Sequence, residues 1–226
     1  TGAYFADPGF KDVQNLAEVG FPIAEIEANG DIVITKADNT GGLVSKATVT
    51  EQILYEMHDP GNYLTPDVTL DVMNVELEDD GTNRVRLTGA KGKPPPATLK
   101  VTVSVDGGWL GEGEITYAGP NALARAELAA SVVKRRSQIL GIQEPLRVDI
   151  IGTGAVHDND MSAKRMRKNF PKDGEYRVRA AIRSVDQKTA QRISDEVQSL
   201  YCSGPAAGGG VRQYVSHQVS TASVLI

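Results

Sequence analysis

Cysteine is almost absent from this 226-residue chain, which carries only Cys202. One cysteine excludes an internal disulfide and favours a reducing compartment, so we expect a cytoplasmic protein. The chain lacks the run of about 18 apolar residues that a membrane-spanning helix needs, and its first residues do not have the pattern of a signal peptide. The net charge of -5 is spread without long runs of one sign. Neither nucleic acid nor a membrane is therefore an expected partner.

The first half of the chain carries mainly strand and turn signals. Asn29-Gly30 joins two apolar stretches, as in a tight hairpin. Thr48 and Glu51 fit a capping box, which predicts a helix with Val49, Ile53 and Met57 on one face and a stop at Pro60-Gly61. Turn residues such as Gly81 and Asp106-Gly107 separate the further strands. The predicted strands cover residues 22–28, 31–36, 71–78, 83–88, 98–105 and 109–117.

The second half alternates helices with strands. Gly119-Pro120 starts a helix that ends at Gly141, with Leu128, Val132 and Ile139 beside Ala129, Val133 and Leu140 as its apolar stripe. Residues 186–201 form another helix, whose apolar face holds Ala190, Ile193, Val197, Leu200 and Tyr201. Strands are predicted over 146–151, 176–182 and 215–226, a short helix over 160–168, and a Gly-rich loop over 204–210.

These elements predict an α+β fold, with an antiparallel β-rich first half followed by an α/β layered second half. We expect residues 1–226 to pack as one unit, with a possible subdivision into 1–118 and 119–226.

Six sequence runs are informative in combination. They are TGAYFADPGFKDV (1–13), GFPIAEI (20–26), ATVTEQILYEMHDPGNYLTPDV (47–68), GAKGKPPPATLKVTV (89–103), GEGEITYAGPNALARAELA (111–129) and GPAAGGGVRQYV (204–215). Together they resemble the acyclic terpene utilisation (AtuA) family, in its C-terminal half. The resemblance implies an enzyme or enzyme subunit in the catabolism of acyclic terpenoid acyl or acyl-CoA compounds. It implies no settled catalytic residues, and the cofactor is unknown.

The family's members are longer than this chain. The resemblance therefore implies a missing N-terminal half or a companion subunit, and a homo- or hetero-oligomer that acts on a small-molecule substrate. A non-catalytic assembly domain is the alternative from a different functional class.

Thr1 is the first candidate catalytic residue. An N-terminal threonine couples a hydroxyl nucleophile to an α-amine that can serve as its general base. The hypothesis is a hydrolase subunit made by self-cleavage, which cuts an amide or ester. A trimmed fragment, or a separately encoded subunit that lost its initiator Met, is the alternative interpretation of this first residue.

Glu112 and Glu114 are the second candidate. On a strand they face the same side, together with Thr116. Two neighbouring carboxylates raise one another's pKa, which suits a general acid or base. A solvated sheet face is the alternative interpretation of the same pattern.

Glycines and lysines supply candidate ligand-binding residues. Gly208, Gly209 and Gly210 could bring backbone amides close to a phosphate, with Arg212 adding positive charge, although a flexible connector explains the loop too. Lys91 and Lys93 flank a triple proline and could hold a CoA phosphate, or protect an edge strand from aggregation. The histidines are too dispersed for a zinc site, so no metal is expected.

Overall fold

The computed structural model describes residues 6–8, 13–155 and 169–226. Thr1 and the predicted helix over 160–168 lie outside these ranges. The chain divides into two compact units, one of Thr1–Val101 with Val224–Ile226 and one of Thr102–Ser223. No helix within the described ranges is both long enough and apolar enough to cross a membrane.

The first unit is built mainly from short strands. Its elements are β1 (Ile23–Ile26), β2 (Ile32–Thr35), α1 (Lys46–Leu54), β3 (Tyr63–Leu64), β4 (Thr69–Asp71), β5 (Glu76–Asp79), β6 (Val85–Thr88) and β7 (Lys91–Lys93). Strands β1, β2, β6 and β5 form one antiparallel sheet in that order, and β3, β4 and β7 form another. The hairpin predicted at Asn29-Gly30 is confirmed, with Ile26 paired to Ile32 and Gly30 at a φ of 91°.

Two predictions for the first unit are wrong in detail. The capping box belongs to Ser45 and Thr48, because the Thr48 hydroxyl accepts the backbone N–H of Ser45 at 2.9 Å and Ser45 Oγ accepts that of Thr48 at 3.3 Å. The helix then ends at Leu54, before Met57 and well before Pro60-Gly61. The strand predicted over 71–78 is two strands in different sheets, β4 and β5.

The second unit is a helix-backed sheet. Its elements are β8 (Lys100–Gly119), α2 (Ala122–Ile139), β9 (Leu146–Ile151), β10 (Gly174–Ser184), α3 (Gln187–Ser203) and β11 (Gly208–Leu225). The sheet order is β11-β8-β10-β9, and β10 runs antiparallel to both β8 and β9. This β-α-β-β-α-β sequence of described elements, with β8 and β10 at the centre, is the ferredoxin-like arrangement. The α+β class predicted from the sequence is confirmed.

Glycines that were predicted to lie in a turn and in a loop belong to strands. Residues 98–105 and 109–117 are not separate strands, because β8 continues through Asp106-Gly107. The Asp106 carboxylate accepts the backbone N–H of Gly108 at 2.8 Å, and Gly108 takes a φ of 72°, which only glycine adopts without strain. The Gly-rich loop is also shorter than predicted, since Gly208, Gly209 and Gly210 already belong to β11.

The helices pack through small side chains. In α2 the buried face carries Ala126, Ala129 and Val133, whereas Leu128 and Ile139 are 54% and 58% exposed, so the predicted stripe is wrong at those two positions. In α3 the predicted face is confirmed for Ala190, Ile193, Val197 and Leu200, but Tyr201 is 65% exposed. Tyr201 follows Leu200 and is therefore rotated by about 100° away from the core.

Two glycines of β8 let α3 lie directly against the strand. A Cβ on Gly111 would sit 2.0 Å from the carbonyl oxygen of Ala190, and a Cβ on Gly113 would sit 2.6 Å from Cβ of Val197. Both positions face the core together with Ile115 and Tyr117, which are fully buried. The strand therefore presents glycine to the helix at the points of closest approach.

We expect Gly111→Ala to destabilise the protein by about 2 kcal/mol, since the added methyl group forces α3 away from the sheet. Gly209→Ala is the matched control, because a Cβ there meets nothing within 4 Å. Urea unfolding followed by circular dichroism measures both. Equal midpoints for the two variants would show that the contact between β8 and α3 does not limit packing.

Candidate functional site

The second sheet has a side that faces away from α2 and α3, called here the open face. It is formed at its centre by alternate residues of three paired strands. They are Leu110, Glu112, Glu114 and Thr116 of β8, Arg177, Arg179, Ala181 and Arg183 of β10, and Arg147, Asp149 and Ile151 of β9.

Glu112 and Glu114 lie on the open face, as the strand alternation predicts. Glu114 forms an ion pair with Arg177, whose Nη1 atom lies 3.3 Å from Glu114 Oε2. Nε of the same arginine donates to the Thr116 hydroxyl at 3.2 Å. Glu112 makes no hydrogen bond or ion pair with any residue that the structure describes. The two glutamates therefore differ in their surroundings: Glu114 is held in an ion pair, whereas Glu112 has no charged partner among the described residues.

Asp149 is the most buried charge of the open face, with a side chain that is 9% exposed. Its Oδ2 atom accepts from Arg147 Nε at 2.8 Å and from Arg179 Nη2 at 2.9 Å. Two guanidinium groups thus share one carboxylate.

Ala181 lies among these charges. It pairs across the sheet with Glu112 on one side and Arg147 on the other, and Arg179 and Arg183 flank it along β10. Cross-strand neighbours are about 5 Å apart and diagonal ones about 7 Å, so the small methyl group of Ala181 lies between longer, charged side chains.

The charge balance of the open face differs from that of the whole chain. Among the described residues, its central part holds four arginines (147, 177, 179 and 183) beside three carboxylates (112, 114 and 149), and Glu175 lies on the same side near the start of β10. The chain as a whole carries -5, so arginine is concentrated on this face.

The glycine and lysine candidates fall in different places. Arg212 lies on the side of the open face, because its neighbour Val211 packs against the core on the other side. Lys91 and Lys93 belong to β7 of the first unit. Lys93 Nζ donates to the Gly61 carbonyl at 2.7 Å and lies 3.3 Å from Asp71 Oδ2, so its ammonium group is already engaged. Phosphate binding by these residues stays a prediction, and Thr1 lies outside the described ranges.

Sequence reasoning missed a cleft of about 590 Å³ at one end of the second sheet, beside Trp109, Glu144 and Ser184. The buried Ser184 hydroxyl donates to Glu144 Oε1 at 2.6 Å and accepts the backbone N–H of Asp186 at 3.1 Å. The donated hydrogen bond lowers the pKa of Glu144. These residues come from separate segments with no common motif. The pairing of Ser184 with Trp109 and that of Ile182 with Leu146 bring them together.

A second polar pair lies near this cleft. His217 Nε2 is 3.1 Å from Asp106 Oδ1, and the His217 ring packs edge-on against Trp109 at 5.2 Å between centroids. The backbone N–H of Gly108, and after it His217, lowers the pKa of Asp106. Within the described residues, no three His, Cys, Asp or Glu side chains are grouped to hold a metal ion.

Glu144 makes the stability of the protein depend on pH. Its pKa is lowered in the folded state from the ordinary value of 4.5, so its contribution is complete above pH 4.5 and is lost as the pH falls through the folded value. Glu144→Gln keeps an acceptor for Ser184 but does not ionise. We expect the stability of the wild type relative to this variant to decline only below pH 4.5, measured by urea unfolding at a series of pH values. A relative stability that does not change with pH would contradict the assignment.

Of three comparisons with known proteins, the one with family models gave a match. The comparisons with curated proteins and with solved structures found no match. The family model described as acyclic terpene utilisation family protein AtuA matches residues 1–226, in agreement with the resemblance carried by the six sequence runs. The chain belongs to the AtuA family of acyclic terpene utilisation proteins.

Proposed function

We propose that this protein is an enzyme, or a subunit of one, in the breakdown of acyclic terpenoid acyl compounds, and that its ligand is anionic. Membership of the AtuA family supports a role in acyclic terpene utilisation. The surplus of arginine around Ala181 supports the anionic ligand, since guanidinium groups pair with carboxylates and phosphates in a fixed, bidentate geometry. An acyl carboxylate and the phosphates of an acyl-CoA both fit this chemistry.

In this proposal, Arg183, Glu112 and Arg177 of the open face have different roles. Arg183 binds the anion, because it makes no ion pair with a described residue and flanks Ala181. Glu112 transfers a proton to or from the ligand, since its carboxylate is not engaged by a cation. Arg177 fixes Glu114 and thereby keeps that second carboxylate at its place beside Thr116.

We expect Glu112→Gln to lower kcat for an acyl-CoA of an acyclic branched acid by about 100-fold or more, the usual contribution of a general acid or base. Glu114→Gln should cost less, because Glu114 is already held in an ion pair. Glu127→Gln, on the exposed side of α2, is the matched control. Steady-state assays of acyl-CoA consumption compare the three variants. If Glu112→Gln turns over like Glu127→Gln, Glu112 has no catalytic role.

We expect Arg183→Gln to weaken binding of coenzyme A about tenfold, since it removes a charge-assisted hydrogen bond. Arg192→Gln removes an exposed arginine from α3 and should leave affinity unchanged. Isothermal titration of coenzyme A into each variant gives both constants. An equal loss in the two variants would mean that only the overall charge matters and would exclude a site at Ala181.

A non-catalytic assembly domain is the second candidate function. In the first unit the buried hydrophobic residues within the described ranges are Val33, Val49 and Val85, whereas Phe21 and Ile26 are 95% and 71% exposed. Such exposure of large apolar side chains is typical of surfaces that a partner covers. Absence of acyl-CoA turnover, together with a stable complex in sedimentation, would support this role over catalysis. The threonine hydrolase stays a hypothesis about Thr1.

A further inference from the structure

The first unit contains an apolar cavity between α1 and the sheet. Its volume is about 160 Å³. Two of its walls come from the sheet and the helix, and the third comes from the segment that precedes the helix. The apolar lining residues are Ile34 and Leu87 of the sheet, Val49 and Ile53 of α1, and Leu43 and Val44 of the preceding segment.

The Thr48 hydroxyl in the lining is already hydrogen-bonded. It accepts the backbone N–H of Ser45 at 2.9 Å and lies 3.2 Å from the Leu43 carbonyl oxygen, to which it can donate. A water molecule against the apolar part of the lining would therefore find few partners. Burying hydrocarbon there is favourable, because it removes apolar surface from water without displacing a bound polar group.

Gln52 supplies a polar group among the lining residues. Its side chain is exposed and makes no hydrogen bond with a described residue, although Gln52 lines the cavity together with Val49 and Ile53 of the same helix. The amide N–H can donate to a carbonyl or carboxylate oxygen of a ligand. The combination of an apolar interior and a free amide selects a small amphiphile.

We propose that this cavity binds the hydrocarbon end of a short carboxylic acid or its ester, a chain of about five or six carbons. An apolar cavity of about 150 Å³ accommodates a six-carbon ring, so the observed volume admits a chain of this size. The Gln52 amide then holds the carboxylate or ester oxygen. The site belongs to the first unit and goes beyond the proposed function, which places the anion on the second.

The direct probe is 4-methylpentanoate, titrated into the full chain and followed by two-dimensional NMR. We expect saturable shifts at Val49, Ile53 and Leu87, with a dissociation constant on the order of 1 mM, as suits so small a ligand. Acetate, which has the carboxylate but no chain, should give no saturable shift there. Saturation by acetate, or no saturation by 4-methylpentanoate, would overturn the proposal.

Two matched variants on α1 separate the cavity from its surroundings. Ile53→Phe fills the cavity and should weaken binding of 4-methylpentanoate tenfold or more. Leu54→Phe makes the same kind of change at the neighbouring position, which does not line the cavity and is 45% exposed, and should bind as the wild type does. Equal affinity in both variants would contradict the site.

Gln52→Ala provides a test that does not disturb packing, because the side chain is exposed. It should weaken binding of 4-methylpentanoate several-fold while leaving binding of the neutral hydrocarbon 2-methylpentane unchanged. An unchanged affinity for the carboxylate would exclude the amide contact and with it the proposed orientation. None of these measurements depends on acyl-CoA turnover, so their failure and a failure of the proposed function can be told apart.

Discussion

Strand β8 carries glycine on one side and glutamate on the other, and the arrangement of the second unit depends on this alternation. Gly111 and Gly113 admit the backbone of α3 at distances that no larger residue tolerates. A shift of the strand by one residue would turn Glu112 and Glu114 into the core, where unpaired carboxylates are costly. The contact between strand and helix therefore fixes the register that places both glutamates on the open face.

The charges of the open face orient one another more than they stabilise the fold. Most of the arginines involved are between 35% and 45% exposed, and ion pairs at such exposure contribute little free energy. Their main contribution is to hold the charged side chains in defined positions. Arg177 fixes Glu114, and Asp149 holds Arg147 and Arg179 in place, so several side chains around Ala181 are already positioned. A ligand that binds there has less side-chain entropy to overcome.

Several local features follow from local patterns in the sequence. The Asn29-Gly30 hairpin, the shared face of the two glutamates and most of the buried face of α3 follow from spacing along a few residues. The charged partners of the glutamates could not be found this way, because Arg177 is 63 positions beyond Glu114 and only strand pairing brings them together. The grouping of charged side chains around Ala181 depends on three paired strands, so it could not be predicted from any single segment.

The errors share a physical cause. Large apolar residues suggested the wrong face of α2, since close packing against the sheet selects Ala126 and Ala129 over Leu128. Glycines suggested a turn at 106–107 and a loop over 204–210, whereas Gly107 and residues 208–210 lie inside strands. The sequence shows where glycine occurs. Only tertiary contacts show whether a given glycine provides a positive φ, a close approach to another element, or a turn.

The central claim is that an anionic acyl ligand binds at Ala181 on the open face of the second sheet. NMR resonances of the full chain, recorded with and without a CoA thioester of an acyclic branched acid, test it most directly. We expect the largest saturable changes at Ala181, Glu112 and the Arg183 guanidinium. Unchanged resonances at these three positions, with saturable changes elsewhere in the chain, would contradict it.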